Sequence, residues 1–304
     1  RDRIFGRIDP IATSGEEYRR NSPNVTLFRE HARFVSAKVL QVGEELISAD
    51  QIVLAAGSRP RLPDVPGADA AELGERVHTS DSIMRLERLP KSLIIVGGGL
   101  VAAEFAHIFA AFGTQVTMLY RGDHLLRAFD HDVSKRFTKL LSRRVVLRLG
   151  QHLASIETTP LGVGVGTTDD DGIEYFFEAE QLLLATGRVP NSDTLDLEKA
   201  GVEVGADGYV VVDEHQRTSA AGIWALGDVS SPWQLKHVAN HEARVVQHNL
   251  LHPDDLCSSD HRFIPMAVFS GPQVATVGLT EDDCRQQGRD YVVGVRDYGS
   301  VAYG

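Results

Sequence analysis

The stretch from Ser92 to Arg127 constrains the fold of this chain more than any other. An apolar run, Leu93–Val96, enters the bend Gly97-Gly98-Gly99 and leaves it as a second apolar segment, Leu100-Val101-Ala102-Ala103. A strand, a Gly-x-Gly-x-x-Ala bend and a helix in that order make a dinucleotide-binding fingerprint. Gly97 permits the tight turn, Gly99 lets the backbone approach a diphosphate, and Ala102 lets the helix lie against the strand. The helix N-terminus, including Leu100 and Val101, offers unpaired N–H groups and a positive dipole end to phosphate oxygens.

The next strand, Gln115–Leu119, runs into Tyr120-Arg121, where a unit binding the unphosphorylated coenzyme places an acid. Arg127 follows shortly after. Two guanidinium groups match the charge and fork geometry of a ribose 2′-phosphate, so the expected nucleotide is NADPH. Glu104 lies one turn into the helix among apolar neighbours and needs a partner, a lysine or the nicotinamide amide.

The chain has 304 residues, 42% of them hydrophobic, enough for more than one core. A net charge of −11 argues against nucleic acid and against an anionic membrane surface. There is no transmembrane run and no signal peptide, so a cytoplasmic location is expected. The two cysteines, Cys257 and Cys284, lack the short spacing of a redox pair and imply no disulfide framework. The chain opens at Arg1 without a methionine and ends abruptly, so it is expected to be a piece of a longer protein.

Residues 1–23 are polar, with a helix possible near Gly15–Arg20. Short strands are predicted at Val25–Phe28, Ala32–Val39 and Gln51–Ala55, before a Pro- and Gly-rich linker over residues 60–74. Strand and helix then alternate: Leu93–Val96, helix 99–112, Gln115–Leu119 and helix 130–142. The first helix is expected to bury Val101, Ala102, Phe105, Ile108, Phe109 and Phe112, and to stop at Gly113. Further strands are placed at Val145–Leu149, Gly162–Thr167, Ile173–Phe177, Gln181–Ala185 and Tyr209–Val212. A helix is expected over His237–Leu251, then strands at Arg262–Phe269 and Gln273–Val277. Thr280 with Asp283 reads as a capping box, and Gly288 as the stop of the helix it opens.

Two apolar strands end alike, in Ala55-Ala56-Gly57 and Ala185-Thr186-Gly187, where a backbone can approach a flat cofactor or a neighbouring loop. In Ala225-Leu226-Gly227-Asp228-Val229 the carboxylate follows a glycine at a strand end and can accept hydrogen bonds from a polyol, or cap the next turn. His237 and His241 share a helix face, but no carboxylate–histidine signature or cysteine joins them, so no metal site is expected.

These motifs, together with Val277-Gly278-Leu279-Thr280-Glu281, resemble the flavoprotein disulfide reductases, the family of glutathione reductase and lipoamide dehydrogenase. The likeness runs along essentially the whole chain. Arg1–Pro10, Glu104–His107 and Leu235–Asn249 resemble one actinobacterial member. The resemblance implies an α/β fold of Rossmann-like FAD- and NAD(P)-binding domains, with the start of an α+β dimerisation domain. The implied division is residues 1–73 and 192–255 for the FAD unit, 74–191 for the NADPH unit and 256–304 for part of the interface unit.

The resemblance also implies a homodimer that holds FAD and NADPH and reduces a small-molecule disulfide. Asp228 would hold the flavin ribityl chain, the His237 backbone would face the flavin ring, and Ala56 and Gly57 would line the FAD site. Gly97, Gly99, Arg121 and Arg127 would bind NADPH, with Glu104 and Gly187 beside the nicotinamide. Leu100 departs from the family, which often places an aromatic gate there. The family's first Gly-x-Gly-x-x-Gly, its redox cysteine pair and its His-Glu couple are not found in this chain, which is therefore expected not to turn over the disulfide by itself. Open alternatives are an NADH-using lipoamide dehydrogenase or mercuric-type relative, and a non-catalytic nucleotide-binding module.

Overall fold

The computed structural model describes residues 1–68 and 75–300. Helix α1 (Asp2–Asn21) is longer than the segment expected near Gly15–Arg20, and none of its residues is buried. It is tied to the rest through Asp9, which accepts both terminal nitrogens of Arg85 at 2.8 Å. Strands β1 (Ala32–Ser36), β2 (Val39–Val42) and β3 (Glu45–Ser48) form an antiparallel meander. The stretch read as one strand over Ala32–Val39 is therefore two, because the chain reverses at Ala37-Lys38. Val25–Phe28 is not a strand; β-branched and aromatic content alone does not supply a pairing partner.

Strand β4 (Ile52–Leu54) is followed by β5 (Ser58–Pro60) and β6 (Val77–His78). The end of the linker, including Gly74, and the expected boundary at residues 73 and 74 lie outside the described residues. Then come β7 (Ser92–Val96), α2 (Leu100–Ala111), β8 (Gln115–Tyr120), α3 (His131–Leu141) and β9 (Val146–Leu149). An antiparallel excursion of β10 (His152–Thr159), β11 (Gly162–Thr168) and β12 (Glu174–Ala179) leads into β13 (Gln181–Leu184). Strand β10 has no counterpart in the sequence reading; its alternation is diluted by His152, Ser155 and Glu157.

The central sheet has five parallel strands in the order β6-β13-β7-β8-β9. A parallel sheet is covered on both faces, so its strands are continuously apolar. Here Leu93, Ile95, Val116, Met118 and Leu183 pack with Ala102, Ala106, Phe137 and Leu141 of the helices. The alternate residues Ile94, Val96, Leu119, Leu182 and Leu184 pack with Ile156, Val163 and Val165 of the excursion. The result is three layers, and truncating any of the fully buried Leu or Ile residues would cost about 2–5 kcal/mol.

Helix α2 buries only part of the expected face. Ala102, Ala103, Ala106 and Phe109 are buried and Phe105 packs against the core, whereas Ile108 and Phe112 are exposed. The helix is apolar nearly all round, so size decides its orientation, and the alanines let it lie close to β7 and β8. Gly113, at φ +94°, follows its end as expected.

Beyond β14 (Arg188–Pro190), strand β15 (Ile223–Ala225) pairs in parallel with β4, joining residues far apart in sequence. Leu54, Leu195, Val202, Val210 and Val229 share the core beneath that pair. Tyr209–Val212 makes only isolated bridges, Val204 with Val210 and Val212 with Thr218, and is not a strand. Helix α4 (Lys236–Leu251) follows. The last elements are β16 (Met266–Val268), β17 (Val274–Thr276) and α5 (Glu281–Gln286), with the capping box between Thr280 and Asp283 formed in both directions.

Candidate functional site: a cationic cleft over the glycine bend

The bend after β7 is fixed by backbone geometry. Gly97 has φ +142°, and a Cβ there would stand 2.3 Å from the Ala185 carbonyl oxygen. Its amide donates to Leu119 O at 3.0 Å, while Ala185 donates to Val96 O at 2.9 Å, so the ends of β7, β8 and β13 are clamped together. Gly98 is confined by a side chain: a Cβ there would lie 2.7 Å from the ring of Tyr120. Gly99 caps α2, and a Cβ on it would meet nothing within 4 Å. That open side leaves the first amides of α2, which have no intrahelical acceptor, accessible to an anion.

A cavity of about 530 Å³ lies over this bend. Gly97, Gly98 and Gly99 form its floor, Tyr120 and Arg121 one wall, and Ala185, Thr186 and Gly187 the other. Arg61, Gln151 and His152 also reach it, and among the described residues no Asp or Glu lines it. In a chain with 42 acidic against 31 basic residues, a cleft with two arginines and no acid among its described lining residues favours an anion. Gly97, Gly99, Arg121 and Gly187 thus line one cavity.

Other candidates stand elsewhere. Leu100 is half-buried against the helix-side core and does not line the cavity, and neither does Val101. Arg127 is exposed outside the lining; its charge helps hold the Asp123 carboxyl below the usual range, after the dominant hydrogen bond from Asp123's own amide. Glu104 finds a backbone partner rather than a lysine: its Oε1 accepts the Phe269 amide at 2.9 Å, linking α2 to the end of β16. Among the described residues no group of three or more His, Cys, Asp or Glu stands together as a metal set. No described helix is long and apolar enough to cross a membrane.

A second polar centre gathers the remaining strand ends. Strands β5 and β14 pair antiparallel, Ser58 opposite Pro190 and Pro60 opposite Arg188. Asn191 donates from its side chain to Ala56 O at 2.8 Å and from its amide to Gly57 O at 3.0 Å. Gly57 has φ +70° with open space where a Cβ would point. The Asp228 Oδ2 atom accepts the Ser58 hydroxyl at 2.7 Å, and Ser58 Oγ in turn accepts Arg188 Nε at 2.7 Å. Asp228 Oδ1 makes no hydrogen bond among the described residues, and this oxygen can accept from a polyol.

Helix α4 starts beside that turn. A Cβ on Gly227 would meet the Ala239 side chain at 3.3 Å, so Asp228 and the first turn of α4 are neighbours. His237, in that first turn, is exposed. Glu242, one per cent exposed, accepts the Gly227 amide at 2.6 Å, and its other oxygen stands 2.9 Å from His261 Nε2. Glu242 escaped the sequence reading, although it falls on the buried stripe of Val238, Val245 and Asn249. Tyr120 escaped it too; the flanking glycines at 98 and 122 were the available trace, because a Cβ on either would strike its ring.

Fold and cleft together define a class. Residues 8–243 match the family model described as pyridine nucleotide-disulphide oxidoreductase, and the chain belongs to that family. Among its relatives, mycothione reductase of Mycobacterium tuberculosis is 50% identical over 99% of this chain and 66% of its own length. Glutathione reductase of Burkholderia cepacia is 36% identical over 91% of this chain and 59% of its own. Of solved structures, the HOCl-induced flavoprotein disulfide reductase RclA from Escherichia coli superposes with a TM-score of 0.83 at 28% identity, covering 95% of this chain and 65% of that one. The chain thus spans about two thirds of the length of its mycobacterial relative.

Proposed function

We propose that this chain is the electron-input part of an NADPH-dependent, FAD-containing reductase whose substrate is mycothione, the disulfide of mycothiol. The observation that carries this reading is the cavity with Arg121 at the end of β8, no acid among its described lining residues, and the open face of Gly99 beneath it. The 50% identity to the mycobacterial mycothione reductase supports the substrate; the reading also takes the full-length protein to be a homodimer in the cytoplasm.

In this reading Gly97 and Gly99 shape the seat of the diphosphate, and the amides opening α2 donate to it. Arg121 pairs with the 2′-phosphate, and Arg127, outside the cavity lining, serves as a second cation for it. Gly187 and Glu104 bound the nicotinamide side, Glu104 by holding β16 to α2 through Phe269. The open Oδ1 of Asp228 suits the ribityl hydroxyls, Ala56 and Gly57 bring backbone to the same cofactor, and the start of α4 near His237 sets a positive dipole end toward it. A bound flavin supplies hydride acceptance and electron transfer to a disulfide. Residues 1–73 and 192–255 then serve the flavin, 74–191 the coenzyme, and 256–304 the dimer interface. Cys257 and Cys284 are single, half-buried thiols, so this chain alone does not carry out the exchange with substrate.

Titration of NADPH and NADH into the chain tests the reading. Wild type should prefer NADPH. Arg121→Ala should remove a charge-assisted contact of about 1.5 kcal/mol at this exposed rim, roughly tenfold in Kd, and leave NADH within about twofold. Equal losses for both nucleotides would refute the 2′-phosphate assignment.

A further inference from the structure

Three arginines lie around the strand ends at β5 and β14, and two are fully engaged. Arg59 makes a two-pronged pair with Asp193 at 2.9 and 2.7 Å. Arg188 is spent on Ser58, through its hydroxyl and its carbonyl. Arg61 differs. Its backbone is clipped twice to the turn after β13: its amide donates to Gly187 O at 2.9 Å, and its carbonyl accepts the Thr186 hydroxyl at 2.6 Å. Its guanidinium has no hydrogen bond or ion pair among the described residues, and Arg61 is one of the residues that line the cavity over the glycine bend.

We infer that Arg61 is a binding residue for the diphosphate of the nicotinamide coenzyme. The inference rests on the coenzyme reading of this cleft and extends it to a residue outside the fingerprint. The sheet order places β7 between β13 and β8. Arg121 extends the β8 side, where the adenosine half of a dinucleotide lies in such a fold. Arg61 is held on the β13 side by Thr186 and Gly187, so the two arginines stand on either side of the bend in the lining of one cavity. The diphosphate belongs between them, over Gly97–Gly99 at the start of α2. A planar, always-charged fork on the far wall suits it, and no carboxylate among the described lining residues competes.

The diphosphate is common to NADPH and NADH, whereas the 2′-phosphate is not, so the two arginines leave different signatures. Isothermal titration of both nucleotides into wild type, Arg61→Ala, Arg61→Lys and Arg121→Ala separates them. Arg61→Ala should raise Kd for NADPH and NADH by the same factor, roughly three- to tenfold for a charged contact at an exposed wall. It should also flatten the dependence of log Kd on salt for both, and Arg61→Lys should restore most of the affinity and slope. Arg121→Ala should affect NADPH alone. A change under about twofold for both nucleotides in Arg61→Ala, or a loss confined to NADPH, overturns the inference while the cleft reading stands. Wild type binding neither nucleotide overturns both. The Arg61 side chain is exposed, and an unchanged unfolding midpoint for the two variants confirms that affinity alone has moved.

Discussion

The contact between Gly98 and Tyr120 gives a prediction whose size follows from distances. A Cβ on Gly98 would stand 2.7 Å from three ring carbons of Tyr120, Cδ1, Cδ2 and Cε1. Carbon atoms in contact sit about 3.5–4.0 Å apart, so the ring or the bend must yield by about 1 Å. Gly122 narrows the escape, since a Cβ there would lie 2.6 Å from Cε1 of the same ring. Overpacking of this kind costs about 1–3 kcal/mol. Gly98 is not among the residues at positive φ, so alanine adds no backbone strain. Restricting the unfolded chain returns about 0.4–1 kcal/mol. Gly98→Ala should therefore destabilise the protein by about 1–2 kcal/mol.

In a Tyr120→Ala background the overlap disappears, and the same substitution should be neutral or stabilising by up to about 1 kcal/mol. The coupling across this double-mutant cycle is then about 1–3 kcal/mol. Urea unfolding of the four proteins, followed by far-ultraviolet circular dichroism, measures it. If Gly98→Ala costs the same with and without the tyrosine ring, steric exclusion is not why position 98 is glycine.

Three further outcomes are expected. Gly97→Ala combines a left-handed backbone with a Cβ 2.3 Å from the Ala185 carbonyl, and should cost about 2–5 kcal/mol in unfolding free energy and abolish NADPH binding. Glu242→Ala leaves the buried Gly227 amide without its acceptor, at about 1–3 kcal/mol by thermal or urea unfolding, whereas Glu242→Gln keeps an acceptor and should cost less. Burial lowers the pKa of His78, whose Nε2 stands 2.8 Å from the Gln181 side-chain amide. The unfolded chain therefore takes up that proton first, and stability present above the ordinary value of 6.5 should decline as the pH falls below it. Comparing unfolding free energies at about pH 7.5 and about pH 5, His78→Gln should show a shallower decline than wild type.

The amino-acid order by itself determined the bend, its flanking strand and helix, and the cation that ends the next strand. These are short-range facts: φ values only glycine adopts readily, a period-two or period-3.6 run, and a cap such as Thr280 with Asp283. It did not determine which face of α2 is buried, because a helix apolar nearly all round has no periodic answer, and close packing favoured Ala102, Ala103 and Ala106 over Ile108 and Phe112. Nor did it reveal β10 or the reversal at Ala37-Lys38, where polar residues interrupt the pattern and pairing partners alone define the strands. Only the tertiary structure set Arg61 opposite Arg121, Glu104 against Phe269 and Glu242 beneath Gly227. Each of these pairs residues from distant stretches of chain, and their meeting depends on how sheets and helices stack rather than on any local preference.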